Sequence, residues 1–171
     1  MSHKARYIEG KAALLNDETR QRIEGWLARF PEDQKRSAVI QALMAAQDQN
    51  GGWLSRELIE AVADYLGLPP VWAFEVASFY SMYHHQPTGR HKVNICTNIS
   101  CWLNGAEDLV RQVEQKLGVN LGGTTEDGRI TLVLEEECLA ACCGAPMMVV
   151  DGHYHENLTP ESAMEIIDGL E

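Results

Sequence analysis

The stretch HQPTGRH, residues 85–91, divides the chain into two patterns that one kind of secondary structure cannot satisfy. Upstream of it, apolar side chains recur every three or four residues, the period of a helix with one buried stripe. In DETRQRIEGWLARF, Ile23, Trp26, Leu27 and Phe30 share a face, which predicts a helix over 17–30 stopped by Pro31. SAVIQALMAAQDQNGGW repeats the pattern through Val39, Ile40, Leu43, Met44 and Ala46, and breaks at Gly51 and Gly52. Ser55 is placed to cap a third helix over 56–66, with Leu58, Ile59, Val62 and Leu66 inward and Gly67 as its left-handed terminator. Pro70 suits the first turn of a fourth helix running to about Tyr83. Helices this short are marginal alone, so residues 17–86 predict a small helical bundle, and residues 1–16 an amino-terminal extension. Trp53, Trp72, Phe74, Phe79, Tyr80 and Tyr83 read as its packing aromatics.

Residues 87–171 follow a different grammar. HKVNIC reads as a strand, and NGAEDLVRQVEQKLG as a helix burying Leu109, Val110, Val113 and Leu117, with Asn104 and Glu107 spaced as a capping box. RITLVLEE is a second strand, MMVV and HYHEN form a hairpin about a DG turn, and Thr159 with Pro160 launches a last helix carrying Met164 and Ile167 inward. The order β, α, β, β, β, α implies a small sheet with helices packed on it. The fold class is therefore a helical bundle followed by an α/β domain.

Charge and motifs remove several functions. Acidic residues number 25 against 14 Lys plus Arg, a formal net charge of -11, which disfavours a nucleic-acid partner held by phosphate attraction. No apolar core follows the first basic residues in MSHKARYIEGKAALLNDETR, and no window reaches the apolar length of a membrane span, so neither a secretory signal nor direct membrane insertion is expected. There is no G-x-G-x-x-G, Walker loop or H-E-x-x-H, and GVNLGGTTEDG reads as a surface loop.

The 5 cysteines form an odd set without an export signal, which argues for ligation or redox chemistry over a disulfide framework. Cys96 and Cys101 are one pair, Cys138 and Cys142 another, each at the end of a strand, so the pairs can converge. Four thiolates suit a [2Fe-2S] core, naturally divided as Cys96 with Cys101 on one iron and Cys138 with Cys142 on the other. They also satisfy tetrahedral zinc, and noncoordinating redox thiols are a third reading. Cys143 is surplus. Adjacent extended residues point apart, so Cys142 and Cys143 do not both reach the same metal; the pattern alone admits either as the fourth ligand and favours Cys142, leaving packing, a hydrogen bond to a ligand, or redox sensitivity open for Cys143. Gly144 permits a tight backbone, Pro146 sets the chain into MMVV, and Met147 and Met148 exclude water. Thr97, Asn98, Ser100 and Asn104 are available for polar contacts around the first pair. His84, His85, His91, His153 and His155 read as structural or solvent-facing. The acidic Glu135, Glu136 and Glu137, beside a centre of roughly -2 charge, are expected to lower its reduction potential.

At these residues the chain resembles a known family. CTNISC followed by WLNGAEDL, and ECLAAC followed by CGAPMMV, are similar to the 24 kDa or E-subunit family of NADH-quinone oxidoreductase, respiratory complex I; AAQDQNGGWLS, VADYLGLPP and VASFYSMYHHQPTGRH extend the resemblance over nearly the whole chain. The resemblance implies a thioredoxin-like carboxy-terminal domain with one [2Fe-2S] cluster on Cys96, Cys101, Cys138 and Cys142. It also implies a larger partner subunit binding FMN and NADH, further iron-sulfur subunits, and a peripheral place at the cytoplasmic side of a bacterial inner membrane. Within that resemblance an NAD-linked hydrogenase or formate dehydrogenase is the alternative assembly, with a cytoplasmic location; outside it stand a zinc scaffold and a free ferredoxin-like carrier. The family motif resembles E-C-L-G-A-C-G, so Ala140 and Cys143 here replace two glycines.

Overall fold

A computed structural model describes residues 10–134 and 138–171, so Glu135, Glu136 and Glu137 lie outside the described residues. The chain forms two compact units, Met1–Pro87 and Thr88–Glu171.

In the first unit, the Asn16 side chain accepts the Thr19 N–H at 2.8 Å and starts α1, Asp17–Leu27. The helix ends before the expected Phe30, because the N–H groups of Arg29 and Phe30 fold back onto Trp26 and Leu27 in a tight turn ahead of Pro31. A 3-10 segment, Glu32–Ala38, leads into α2, Val39–Gln49. Ser55 Oγ accepts the Leu58 N–H at 3.3 Å to begin α3, Arg56–Leu66, and Gly67 closes it at φ 68. Pro70 opens α4, Pro70–Phe79, which stops short of Tyr83 because Tyr80 turns extended. That turn lets the buried Tyr83 donate its hydroxyl to Ile40 O at 2.8 Å, and burial pushes the phenol pKa up. Ile23, Leu43, Leu54, Ile59 and Leu66 make the centre of the core. Ala12 and Leu15, from the stretch expected to be an extension, are buried in the same cluster about a 3-10 turn, Lys11–Leu14. Among the aromatics, Phe79 is the departure: it is 75% exposed.

The second unit is a four-stranded sheet in the order β2-β1-β3-β4, from β1, His91–Ile95; β2, Ile130–Val133; β3, Met148–Val150; and β4, His153–His155. β1 and β2 are parallel, which requires a crossover; α6, Ala106–Leu117, supplies it. β3 runs antiparallel to β1, and a turn with positive φ at both Asp151 and Gly152 carries it into β4. Thr159 and Ser162 form a capping box at the start of α7, Pro160–Asp168. Val93, Ile95, Val113, Ile130, Leu132 and Ile167 fill the core.

The expected capping box at Asn104 is not formed. NISCWLN contains a helix of its own, α5, Ile99–Leu103, and Asn104 ends it, donating from Nδ2 to Ser100 O at 2.7 Å. Gly105, at φ 86, then reverses the chain into α6 with no side-chain cap. A five-residue helix is too short to show a period, so local pattern alone assigns the polar residue after it to the start of the next.

Candidate metal centre

The first cysteine pair is carried by regular structure. β1 runs on into Cys96, whose N–H donates to Met147 O at 3.2 Å and extends the ladder past the Ile95–Met148 pair. Cys101 sits on the inner face of α5, while Ile99, Trp102 and Leu103 of the same helix are exposed. Cys96 and Cys101 are each 2% exposed, packed with Ala106 and Met147 and flanked by Leu139, Ala141 and Ala145. The apolar reading of Met147 therefore holds, since it closes the cluster on the core side.

The second pair is carried by a loop. Cys138 and Cys142 are both exposed, and a single 3-10 turn, Cys142–Gly144, is the regular structure there. Ala140 adopts φ 64, a left-handed conformation uncommon for a residue with a Cβ, and its N–H donates to Cys138 Sγ at 3.4 Å. The Cys138 and Cys142 sulfurs stand 3.5 Å apart. Two sulfurs about 2.3 Å from one tetrahedral metal are about 3.8 Å apart, so this pair already has nearly the spacing of two ligands on a single metal.

Both pairs face one cavity. Cys96, Cys101, Cys138 and Cys142 line it with Asn98, Ile99 and Ser100, and its volume is about 190 Å³. The Cys96 thiol acts on both pairs across the cavity, raising the Cys101 pKa and lowering that of Cys138. Burial pushes the Cys101 thiol up to about 11, with the Cys96 thiol adding to the shift. The Ala140 amide, then the Cys142 thiol, hold Cys138 below the ordinary thiol range; Cys142 is raised by its contact with Cys138. Such a set favours a bound cation, because each thiolate formed in the cavity relieves its cost against positive charge rather than against its neighbours.

Other residues singled out from the sequence lie elsewhere. Cys143 is exposed and does not line the cavity. Thr97 borders a different depression with Glu107, Val110, Arg111 and Leu121. His85 Nε2 contacts Ala77 O at 2.9 Å, and His91 bridges Asp151 Oδ2 at 2.6 Å and the Glu171 backbone oxygen at 2.8 Å. Among the described residues, no three His, Cys, Asp or Glu side chains surround a single ion position; the four thiols line a shared space instead. Sequence reasoning misses Ile99 as a lining residue. Its signal is the position just before Ser100 and Cys101, which becomes legible once α5 is recognised.

Comparison with known proteins identifies the family. Residues 23–171 match the thioredoxin-like [2Fe-2S] ferredoxin family. The chain is 43% identical over 145 residues to the NADH-quinone oxidoreductase E-subunit of Rickettsia conorii, covering 85% of this chain and 86% of the relative. It is 40% identical over 149 residues to the mitochondrial NADH dehydrogenase [ubiquinone] flavoprotein 2 of Dictyostelium discoideum, covering 87% of this chain and 60% of that one. Among solved structures, an NAD+-reducing [NiFe]-hydrogenase in the air-oxidized state shares the fold at a TM-score of 0.62 and 20% identity; the match covers 75% of this chain and 22% of that one. Amino-terminal helices, a small mixed sheet and four thiols about one cavity are thus combined in a chain that belongs to the thioredoxin-like [2Fe-2S] ferredoxin family.

Proposed function

We propose that this chain is an electron-transfer subunit of an NADH-quinone oxidoreductase and holds one [2Fe-2S] cluster on Cys96, Cys101, Cys138 and Cys142. The observation that carries the proposal is the shared cavity: two pairs far apart in sequence meet there, in a chain whose family is defined by such a cluster. When bound, the cluster supplies a site that takes up and returns one electron at a time. The chain's own residues do the rest. Met147, Ala106 and the buried first pair keep water from the core side. The Ala140 N–H stabilises negative charge on Cys138 Sγ, and the Met147 backbone lowers the Cys101 pKa against the larger effect of its burial. The exposed second pair leaves the opposite side accessible to a partner or solvent.

In this reading the chain works beside a larger subunit that binds FMN and NADH, with further iron-sulfur subunits beyond it, and has no NADH-oxidising activity alone. No helix among the described residues is long and apolar enough to cross a membrane, which suits a peripheral subunit on the cytoplasmic side of a bacterial inner membrane. A similar place in a soluble NAD-linked hydrogenase is the second reading, favoured by the shared fold alone. Identity over most of the chain to the E-subunit relatives weighs for the first.

Anaerobic purification of the native complex tests both. Two irons and two sulfides per chain, a co-purifying flavoprotein and a cluster signal that grows on adding NADH are expected. Zinc in place of iron, or a chain that purifies alone without a cluster, overturns the proposal.

A further inference from the structure

The second ligand loop raises a question of support. Cys138 and Cys142 are exposed and carried by a loop, yet their sulfurs are held at a ligand-like spacing. We propose that the segment after β4, residues 156–158, is a clamp that positions this pair, and that position 144 is glycine because Glu156 occupies the space its side chain would take.

Two backbone hydrogen bonds fasten the segment to the loop. Asn157 N–H donates to Gly144 O at 2.7 Å, and Leu158 N–H donates to Pro146 O at 2.9 Å. Asn157 is left-handed at φ 52, a conformation asparagine tolerates better than most residues, and the bend directs consecutive N–H groups at the same loop. Within the loop, Gly144 N–H donates to Ala141 O at 3.0 Å, closing the turn that carries Cys142.

Gly144 is buried and is not among the residues of positive φ, so backbone freedom does not explain its identity. A Cβ placed there would collide with Glu156 Oε2 and would lie 2.6 Å from Glu156 Cβ and 2.7 Å from Cδ. The carboxylate and Cδ can swing aside. Glu156 Cβ cannot, because it is fixed to a backbone held by the neighbouring hydrogen bonds. An alanine at 144 therefore has to push the loop away from the clamp, and the displacement passes through the turn to Cys142. Gly144, Glu156 and Asn157 are positioning residues: they act on the loop, and through it on the sulfurs.

The inference rests on Cys138 and Cys142 being ligands, and the experiment separates the two claims. The full chain is loaded with iron and sulfide, and the rate of iron loss to a chelator is followed together with the electron paramagnetic resonance spectrum of the reduced protein. Gly144→Ala is expected to lose iron about tenfold faster and to show altered g-values. Adding Glu156→Ala leaves the Cβ contact and restores little; adding Glu156→Gly removes all three contacts and restores both readouts. Gly152→Ala, in the β3–β4 turn at φ 84 with open space around it, is the control for general weakening: it lowers the melting temperature and leaves the spectrum unchanged. If Gly144→Ala does not fold, the two double variants decide alone, recovery with Glu156→Gly only being the supporting result. Parent-like iron loss in Gly144→Ala, or equal behaviour of the two double variants, overturns the clamp. A parent chain that takes up no cluster overturns the ligand assignment, and the clamp with it.

Discussion

Cys96 and Cys101 approach the cavity from a strand end and a helix, whereas Cys138 and Cys142 approach it from a loop with an alanine in left-handed conformation. The first pair is positioned by hydrogen bonds that belong to the sheet and helix themselves, and burial raises the cost of ionising Cys101. The second pair is accessible, and a local amide stabilises one of its sulfurs, that of Cys138. One half of the site is thus built by the fold of the unit; the other half is a lid whose shape depends on a few contacts.

The largest test of this contrast is loss of the cluster. Cys96→Ala and Cys142→Ala are each expected to abolish retained iron and sulfide, measured per chain after gel filtration. Cys143 lies outside the cavity, so Cys142→Ala and Cys142→Ala/Cys143→Ala should behave alike; iron kept by the single variant alone would show Cys143 serving as a ligand. Next in size is thiol reactivity in the cluster-free chain. At pH 8 the thiolate fraction of Cys101, at about 11, is roughly 100-fold or more below that of Cys138, and burial slows it further. Mass spectrometry after brief iodoacetamide treatment should find Cys138 modified first; equal labelling would mean that the first pair is not buried in solution.

Truncation sharpens the same comparison through stability. Met147→Ala opens a cavity beside the buried pair and is expected to cost about 2–5 kcal/mol in urea unfolding. Leu139→Ala, in the exposed loop and only partly buried, should cost about 1 kcal/mol or less. The smallest effect concerns the start of β1. Asp151, then the Glu171 backbone oxygen, raise the His91 pKa above its ordinary value. A raised folded-state pKa gives stability that is complete below the unfolded value, about 6.5, and is lost as pH rises through the folded one. His91→Gln should flatten that slope without changing iron content, while a persistent slope would place its origin elsewhere.

Much of this organisation is legible in the sequence. Ser55, Gly67 and Pro70 mark helix ends with local chemistry that acts within a few residues, and the structure uses each as expected. The Asp151–Gly152 turn is legible for the same reason. Expectations fail where tertiary contacts compete with a local pattern. The fourth helix stops at Phe79 so that Tyr83 can reach Ile40, a partner 43 positions away, and Asn104 serves α5 because the reversal falls to Gly105. Ala140 stands out as an uncomfortable replacement for glycine, but its amide's direction toward Cys138 depends on how the loop closes. The expected effect of Glu135, Glu136 and Glu137 on the potential lies outside the described residues.

The sequence by itself determined the parts: two grammars divided at HQPTGRH, two cysteine pairs in the second of them, and a residue pattern similar to one family. Those are consequences of short-range sterics, periodicity and chemical identity, all of which are local. Only the tertiary structure decided that the pairs differ in kind, because burial and cavity shape depend on the register of β1 against β3 and on which backbone approaches Gly144. Contacts between distant segments set those distances, and no local rule encodes them.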